Sequence, residues 1–238
     1  MTLGAILLFG LLVGMQHALE ADHVAAVSSL ASGEHQPRAI VRHGVVWGVG
    51  HALTLMAVAG AAVLLGATIG PGLAAGLELA VGVMLVLLGG QVILRLVRER
   101  VHFHVHQHAD GTVHLHAHSH RGETTHRPER HEHRHVEPFP LRSLCVGVMH
   151  GMAGSAALIV LSATAMPSPA LGLIYILLFA LGSVAGMALL STAIALPLGH
   201  AARVMTRTYG VLQLLIGGGT VGLGGLTIYQ SYVGLLTL

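Results

Sequence analysis

Lysine is absent from this 238-residue chain, so every fixed positive charge is an arginine. Charged residues make up only 9%, aromatic residues only 4%, and there is one tryptophan. The single cysteine, Cys145, excludes an intrachain disulfide framework. No nucleotide-binding motif occurs, which excludes an ATP-driven reaction carried by this chain alone. The first residues lack the basic segment of a secretory signal, so residues 3–16 read as a retained span. Against these absences stand a 53% hydrophobic content and 32 glycines. Small residues at that frequency let bilayer helices approach closely.

Crossing a hydrocarbon layer of about 30 Å takes about 20 apolar residues. Six runs qualify: 3–31, 41–69, 72–97, 141–166, 169–198 and 209–236. Arg38 and Arg42 follow the first run, Arg95, Arg98 and Arg100 the third, and Arg203 and Arg207 the fifth. The connections after the second and fourth carry no charge. Arginine-bearing loops stay cytoplasmic, which puts both termini outside the cytoplasmic (inner) membrane of a bacterium. The expected class is an all-α, multi-pass integral membrane protein surrounded by lipid, with no nucleic-acid partner.

The first run contains His17-Ala-Leu-Glu20-Ala-Asp22-His23. Ionisable side chains inside a bilayer cost about 3 kcal/mol each on insertion scales, so such a cluster implies function. Imidazole with carboxylate is also the ligand set for borderline divalent metals such as nickel, cobalt or zinc. At about 100° per residue His17 and Glu20 share a helix face, while Asp22 and His23 point elsewhere. A kink or unwound turn near Gly14–Asp22 would let one site collect them.

The two halves of the chain repeat. Val13-Gly14-Met15-Gln16-His17 corresponds to Val146-Gly147-Val148-Met149-His150, and Gly50-His51 to Gly182-Ser183. Glu78-Leu79 with Gly82, Gly89 and Gly90 corresponds to Gln213-Leu214 with Gly217, Gly224 and Gly225. Three spans per half is an odd number, so the halves must be inverted, with a site at their interface. The expected organisation is a three-helix repeat over 1–97, a cytoplasmic loop over 98–140 and a second repeat over 141–238.

That loop holds twelve of the nineteen histidines. His102, His104, His106 and His108, then His114, His116, His118 and His120, alternate with mostly apolar residues, which is a strand pattern. A three-residue turn, Ala109-Asp110-Gly111, predicts a small β-hairpin over about 101–120. It pairs His106 with His114, His104 with His116 and His102 with His118, collecting imidazoles on one face able to buffer metal. Residues 121–138 have the composition of a solvated linker.

His17-x4-Asp22-His23 resembles the signature of the nickel/cobalt permease (NiCoT) family and its shorter, NicO-like relatives linked to urease or hydrogenase. Gly50-His51 resembles that family's second motif, and Met149-His150-Gly-Met-Ala-Gly-Ser155 a third motif of the short relatives. Two departures stand out: many members carry Asp at the Glu20 position, and the longer permeases have eight spans.

The resemblance implies a secondary transporter of Ni²⁺, with Co²⁺ as the alternative cargo; uptake is the preferred direction and a nickel/cobalt efflux permease the alternative. Metal ligands would be His17, Asp22, His23, His51 and His150, with Glu20, Glu78 and Ser155 as further metal- or proton-handling candidates. No tightly bound cofactor is expected; a cytoplasmic metallochaperone and a second copy of the chain are conceivable partners. Two other classes compete: a membrane metalloenzyme or acyltransferase using His17 and Asp22, and a metal sensor or store. Neither a nucleophile nor a soluble catalytic domain is evident, so no enzyme is expected. His43, Trp47 and His200 lie toward helix ends and are read as interfacial.

Overall fold

The computed structural model describes residues 3–32, 36–98, 102–107, 113–118, 140–152, 155–204 and 206–237. Helices α3 (Pro37–Leu65), α4 (Pro71–Arg98) and α7 (Pro169–Val204) all open on a proline, and α8 spans Thr206–Leu236. At the first helical position proline forfeits no hydrogen bond, and its ring already holds a helical φ. α3 ends where Gly66 turns left-handed at φ 61° and its amide closes on the Ala62 and Val63 carbonyls. A side chain there meets steric strain, so Gly66→Ala is expected to cost about 1 kcal/mol. Denaturant unfolding of the purified protein in detergent checks this; an unchanged midpoint would show that the turn tolerates a Cβ.

Two of the expected spans are interrupted. α1 (Leu3–His17) and α2 (Ala21–Ala31) meet at a 55° bend. α5 (Leu141–His150) and α6 (Ser155–Thr164) divide the 141–166 segment. Among the described residues, α3, α4, α7 and α8 are each long and apolar enough to cross a bilayer, and the bent α1–α2 pair makes a fifth candidate. The protein is therefore a multi-pass membrane protein, with four to five such spans among the described residues.

Lipid tails solvate leucine as well as a neighbouring helix does, so close approach and dispersion hold these helices together. α4 lies on α8, with Gly82 against the Gly224 carbonyl and Gly89 against the Gly217 carbonyl. These pairings run in opposite chain directions, so the two helices are antiparallel. α3 is likewise antiparallel to α7, Gly44 meeting Ser191 and Gly60 meeting Leu173. α1 runs parallel to α7, with Gly10 at Tyr175 and Gly186 at Met15. α5 runs parallel to α3, with Gly147 at Trp47 and Gly151 at His51.

These directions put both ends of the 98–140 segment on one side, termed the loop face. The 66–70 and 165–168 connections lie on the opposite side, the turn face. Trp47, Leu85, Leu88, Val27 and Met187 fill one core, while Leu64, Leu65, Leu196 and Leu215 point outward. Beyond the helices, β1 (His102–Gln107) pairs antiparallel with β2 (Val113–His118), setting His102 opposite His118, His104 opposite His116 and His106 opposite His114. His108, His120 and the 109–111 turn lie outside the described residues.

Candidate metal centre

The bend between α1 and α2 builds the centre. α1 stops at His17, and the chain turns through Ala18 and Leu19 to Glu20, which enters α2 in an extended conformation. Glu20 does not cap α2 with its side chain; its carboxylate takes a hydrogen bond from His17 Nδ1 at 2.9 Å instead. Two residues on, Asp22 Oδ1 accepts from the His23 amide at 2.8 Å and from His23 Nδ1 at 2.9 Å. Each imidazole of the heptad thus has its own carboxylate. A ring that donates Nδ1–H to a carboxylate is fixed in the tautomer that leaves an Nε2 lone pair for a metal.

The unwound turn returns His23 to the side of His17, with ring centroids 4.3 Å apart. α3 contributes His51, whose Nε2 is 3.3 Å from His17 Nε2. α5 contributes His150 from its last turn; Nε2 donates to Asp22 Oδ2 at 3.1 Å, and the ring lies 4.4 Å from His23. Two triads result, His17–His23–His51 and Asp22–His23–His150, each with ligand atoms within 4.8 Å of one another and with His23 common to both.

All four imidazoles are buried. His23 Nε2, His51 Nδ1 and His150 Nδ1 have no hydrogen-bond partner among the described residues. A buried ring nitrogen without a partner loses about 1–3 kcal/mol, and a metal ion would recover it. Electrostatics favour a cation too. α1 ends at His17 and α5 at His150, so two helix C-termini converge on the centre. Each such terminus favours a positive charge by about 0.3–1 kcal/mol.

No family model matches the chain, and no solved structure matches it. It is similar to the urease accessory protein UreH of Bacillus sp. (strain TB-90), 34% identical over 202 residues, covering 84% of this chain and 80% of the relative. The chain belongs to the UreH family.

In this UreH-family protein, His17, Asp22, His23, His51 and His150 come together from four helices, and Glu20 attaches through His17. Glu78 is not in either triad; it is half-buried on α4. The side chain of Ser155 lies outside the described residues. His23 links His17 and His150, with its ring 4.3 Å from the first and 4.4 Å from the second.

Trp47, expected from the sequence to be interfacial, is instead 0% exposed, with its ring 5.4 Å from His23 and 5.6 Å from His150. Phe179 of α7, not among the expected site residues, has its ring 5.3 Å from His17. The repeat carried a usable signal: counting 132 residues on from Trp47 in α3 reaches Phe179 in α7.

Proposed function

We propose that this protein is a secondary carrier of Ni²⁺, with Co²⁺ as the alternative cargo, working in uptake across the bacterial cytoplasmic membrane. One observation carries the reading: four imidazoles and a carboxylate converge on a buried point where two interrupted helices end, with three ring nitrogens unpartnered among the described residues. The His17-x4-Asp22-His23 resemblance to nickel/cobalt permeases and the urease-accessory name of the relative favour nickel. Nothing in a His-rich ligand set by itself separates Ni²⁺ from Co²⁺. In the proposed loaded state, His17, His23 and His51 bind the ion directly. Asp22 orients His23 and His150, and Glu20 orients His17.

The proposed architecture is six crossings arranged as two inverted repeats, 1–97 and 141–238, joined by the 98–140 loop. Support comes from contacts that occur twice. Gly14 meets the Phe179 carbonyl and Gly147 the Trp47 carbonyl; Gly182 meets the Leu11 carbonyl and Gly50 the Leu144 carbonyl. Within each pair, the second contact has the residues of the first in the opposite half, 132 or 133 positions away. A two-fold relation between the halves accounts for such pairs. α5 runs with α3 and against α7, so the interrupted α5–α6 segment makes the return crossing. The arginines at 38, 42, 95, 98, 142, 203 and 207 then sit on the loop face, which supports a cytoplasmic loop face with both termini outside.

Histidines paired across β1 and β2 would buffer the ion on its cytoplasmic arrival. Such a loop could also pass it to a metallochaperone. The proposed role is not enzymatic.

Flux of nickel and cobalt in oriented vesicles, with and without a pH gradient, tests the assignment. Wild type is expected to move nickel toward the cytoplasmic side, and His17→Ala to leave only the leak of empty vesicles. Transport only out of the cytoplasmic side would overturn uptake. Equal flux by wild type and His17→Ala would overturn the site.

A further inference from the structure

A cavity of about 480 Å³ adjoins the centre on its turn-face side. Gln16, His17 and Glu20 line it from the α1 end, Ser162 from α6, and Tyr175 and Phe179 from α7. Tyr175 lies six residues, and Phe179 ten, from the turn-face start of α7, which places them about 9 and 15 Å in. Glu20 keeps 54% of its side chain exposed while bonding His17. A carboxylate at that depth is tolerated where it meets water rather than lipid. On the loop-face side the centre instead abuts Trp47, packed among Ala26, Val27 and Met187 with no exposed surface of its own.

The repeat relates these two sides residue by residue. Phe179 corresponds to Trp47, Ser162 to Ser29, Tyr175 to His43 and Gln16 to Met149. Phe179 contacts His17, and Trp47 contacts His150, which is the counterpart of His17. The partners differ between the halves. Tyr175 is hydrogen-bonded to Ser162 across the cavity. Their counterparts have other partners: Ser29 pairs with Thr220 at 2.9 Å, and His43 with Ser143 at 2.6 Å. Among the described residues the two sides of the centre thus differ, one adjoining a cavity and the other closed by the buried Trp47.

Building on the carrier reading above, we propose that the 480 Å³ cavity is the outer vestibule of the ion path, bounded inside by Phe179. A second vestibule opens on the cytoplasmic side when the halves exchange conformations. It is lined by Met149, Ser29 and His43, with Trp47 as its inner boundary. In that state Ser29 and His43 leave Thr220 and Ser143 and face each other, as Ser162 and Tyr175 do now. The vestibule takes a divalent cation, which Glu20 attracts and delivers to His17.

Single cysteines at Ser162 and Ser29, in a Cys145→Ala background, test this with a membrane-impermeant, positively charged thiosulfonate added to either side of nickel-transporting vesicles. Ser162→Cys is expected to react from outside only, with nickel uptake falling about tenfold or more once the vestibule is plugged. Ser29→Cys is expected to react from the cytoplasmic side only; His43→Cys repeats that test if Ser29→Cys does not fold. The proposal is overturned if Ser162→Cys reacts from both sides or from neither, if its modification leaves uptake intact, or if both Ser29→Cys and His43→Cys stay unreactive from the cytoplasmic side. Nickel binding by purified His17→Ala, read by calorimetry, separates the two readings. Lost binding together with two-sided labelling at Ser162 overturns the vestibule alone, whereas binding equal to wild type overturns the carrier site itself.

Discussion

His23→Ala is expected to abolish nickel binding by the purified protein, and with it nickel accumulation in cells that express it. The reason is position. His23 belongs to both triads, lies within ring contact of His17, His51 and His150, and presents a buried Nε2 with no partner. Its loss removes a direct ligand, so affinity should fall by more than the about 10–100-fold typical of outer-shell changes. Asp22→Asn provides the contrast. The proposed role of that carboxylate is to orient His23 and His150, so affinity should fall within the 10–100-fold range and not vanish. Calorimetric titration with nickel, on variants whose gel-filtration profile matches wild type, reads both. Equal losses in the two variants would make Asp22 a direct ligand, and unchanged binding in His23→Ala would refute the centre.

Gly147→Val is expected to lower stability by about 3 kcal/mol, the upper range for overpacking a tight contact. Gly147 lies directly against the Trp47 carbonyl and close to the His51 amide. A branched side chain there pushes α5 from α3, and the Trp47 ring beside His23 and His150 must move with it. Stability and nickel binding should therefore fall together. Gly90→Val is the control, because a Cβ at Gly90 meets nothing within 4 Å. Thermal unfolding in detergent distinguishes them: the first should lose its folded fraction well below wild type and the second should track it. Similar curves for both would mean that the α3–α5 contact is looser than the close approach of Gly147 requires.

Much of this was legible along the chain because the signals are local. An apolar run followed by arginine or by Pro-Gly marks a helix whatever surrounds it, and the long helices α3, α4, α7 and α8 fall close to the expected limits. The unwound turn at Ala18–Glu20 was also readable, since a continuous helix would have spread His17 and His23 over different faces. Crossing of the 141–166 run was less plain. Its interruption after His150 leaves two short helices, and only their direction relative to α3 and α7 bears on it.

The sequence by itself determined the ingredients: a lysine-free, glycine-rich chain of membrane helices, a heptad with two imidazoles and two carboxylates, and a repeated glycine–histidine pattern. Tertiary structure alone decided which ring nitrogen faces which partner, that His23 rather than His17 is common to both triads, and that Glu78 stays apart. It also moved Trp47 from an expected interface to the wall of the centre and brought Phe179 to the other side. The physical reason is that helix formation depends on neighbours three or four positions away. A metal centre depends instead on where helices separated by more than a hundred residues cross, and the close glycine contacts that fix those crossings lie between helices, not along any one of them.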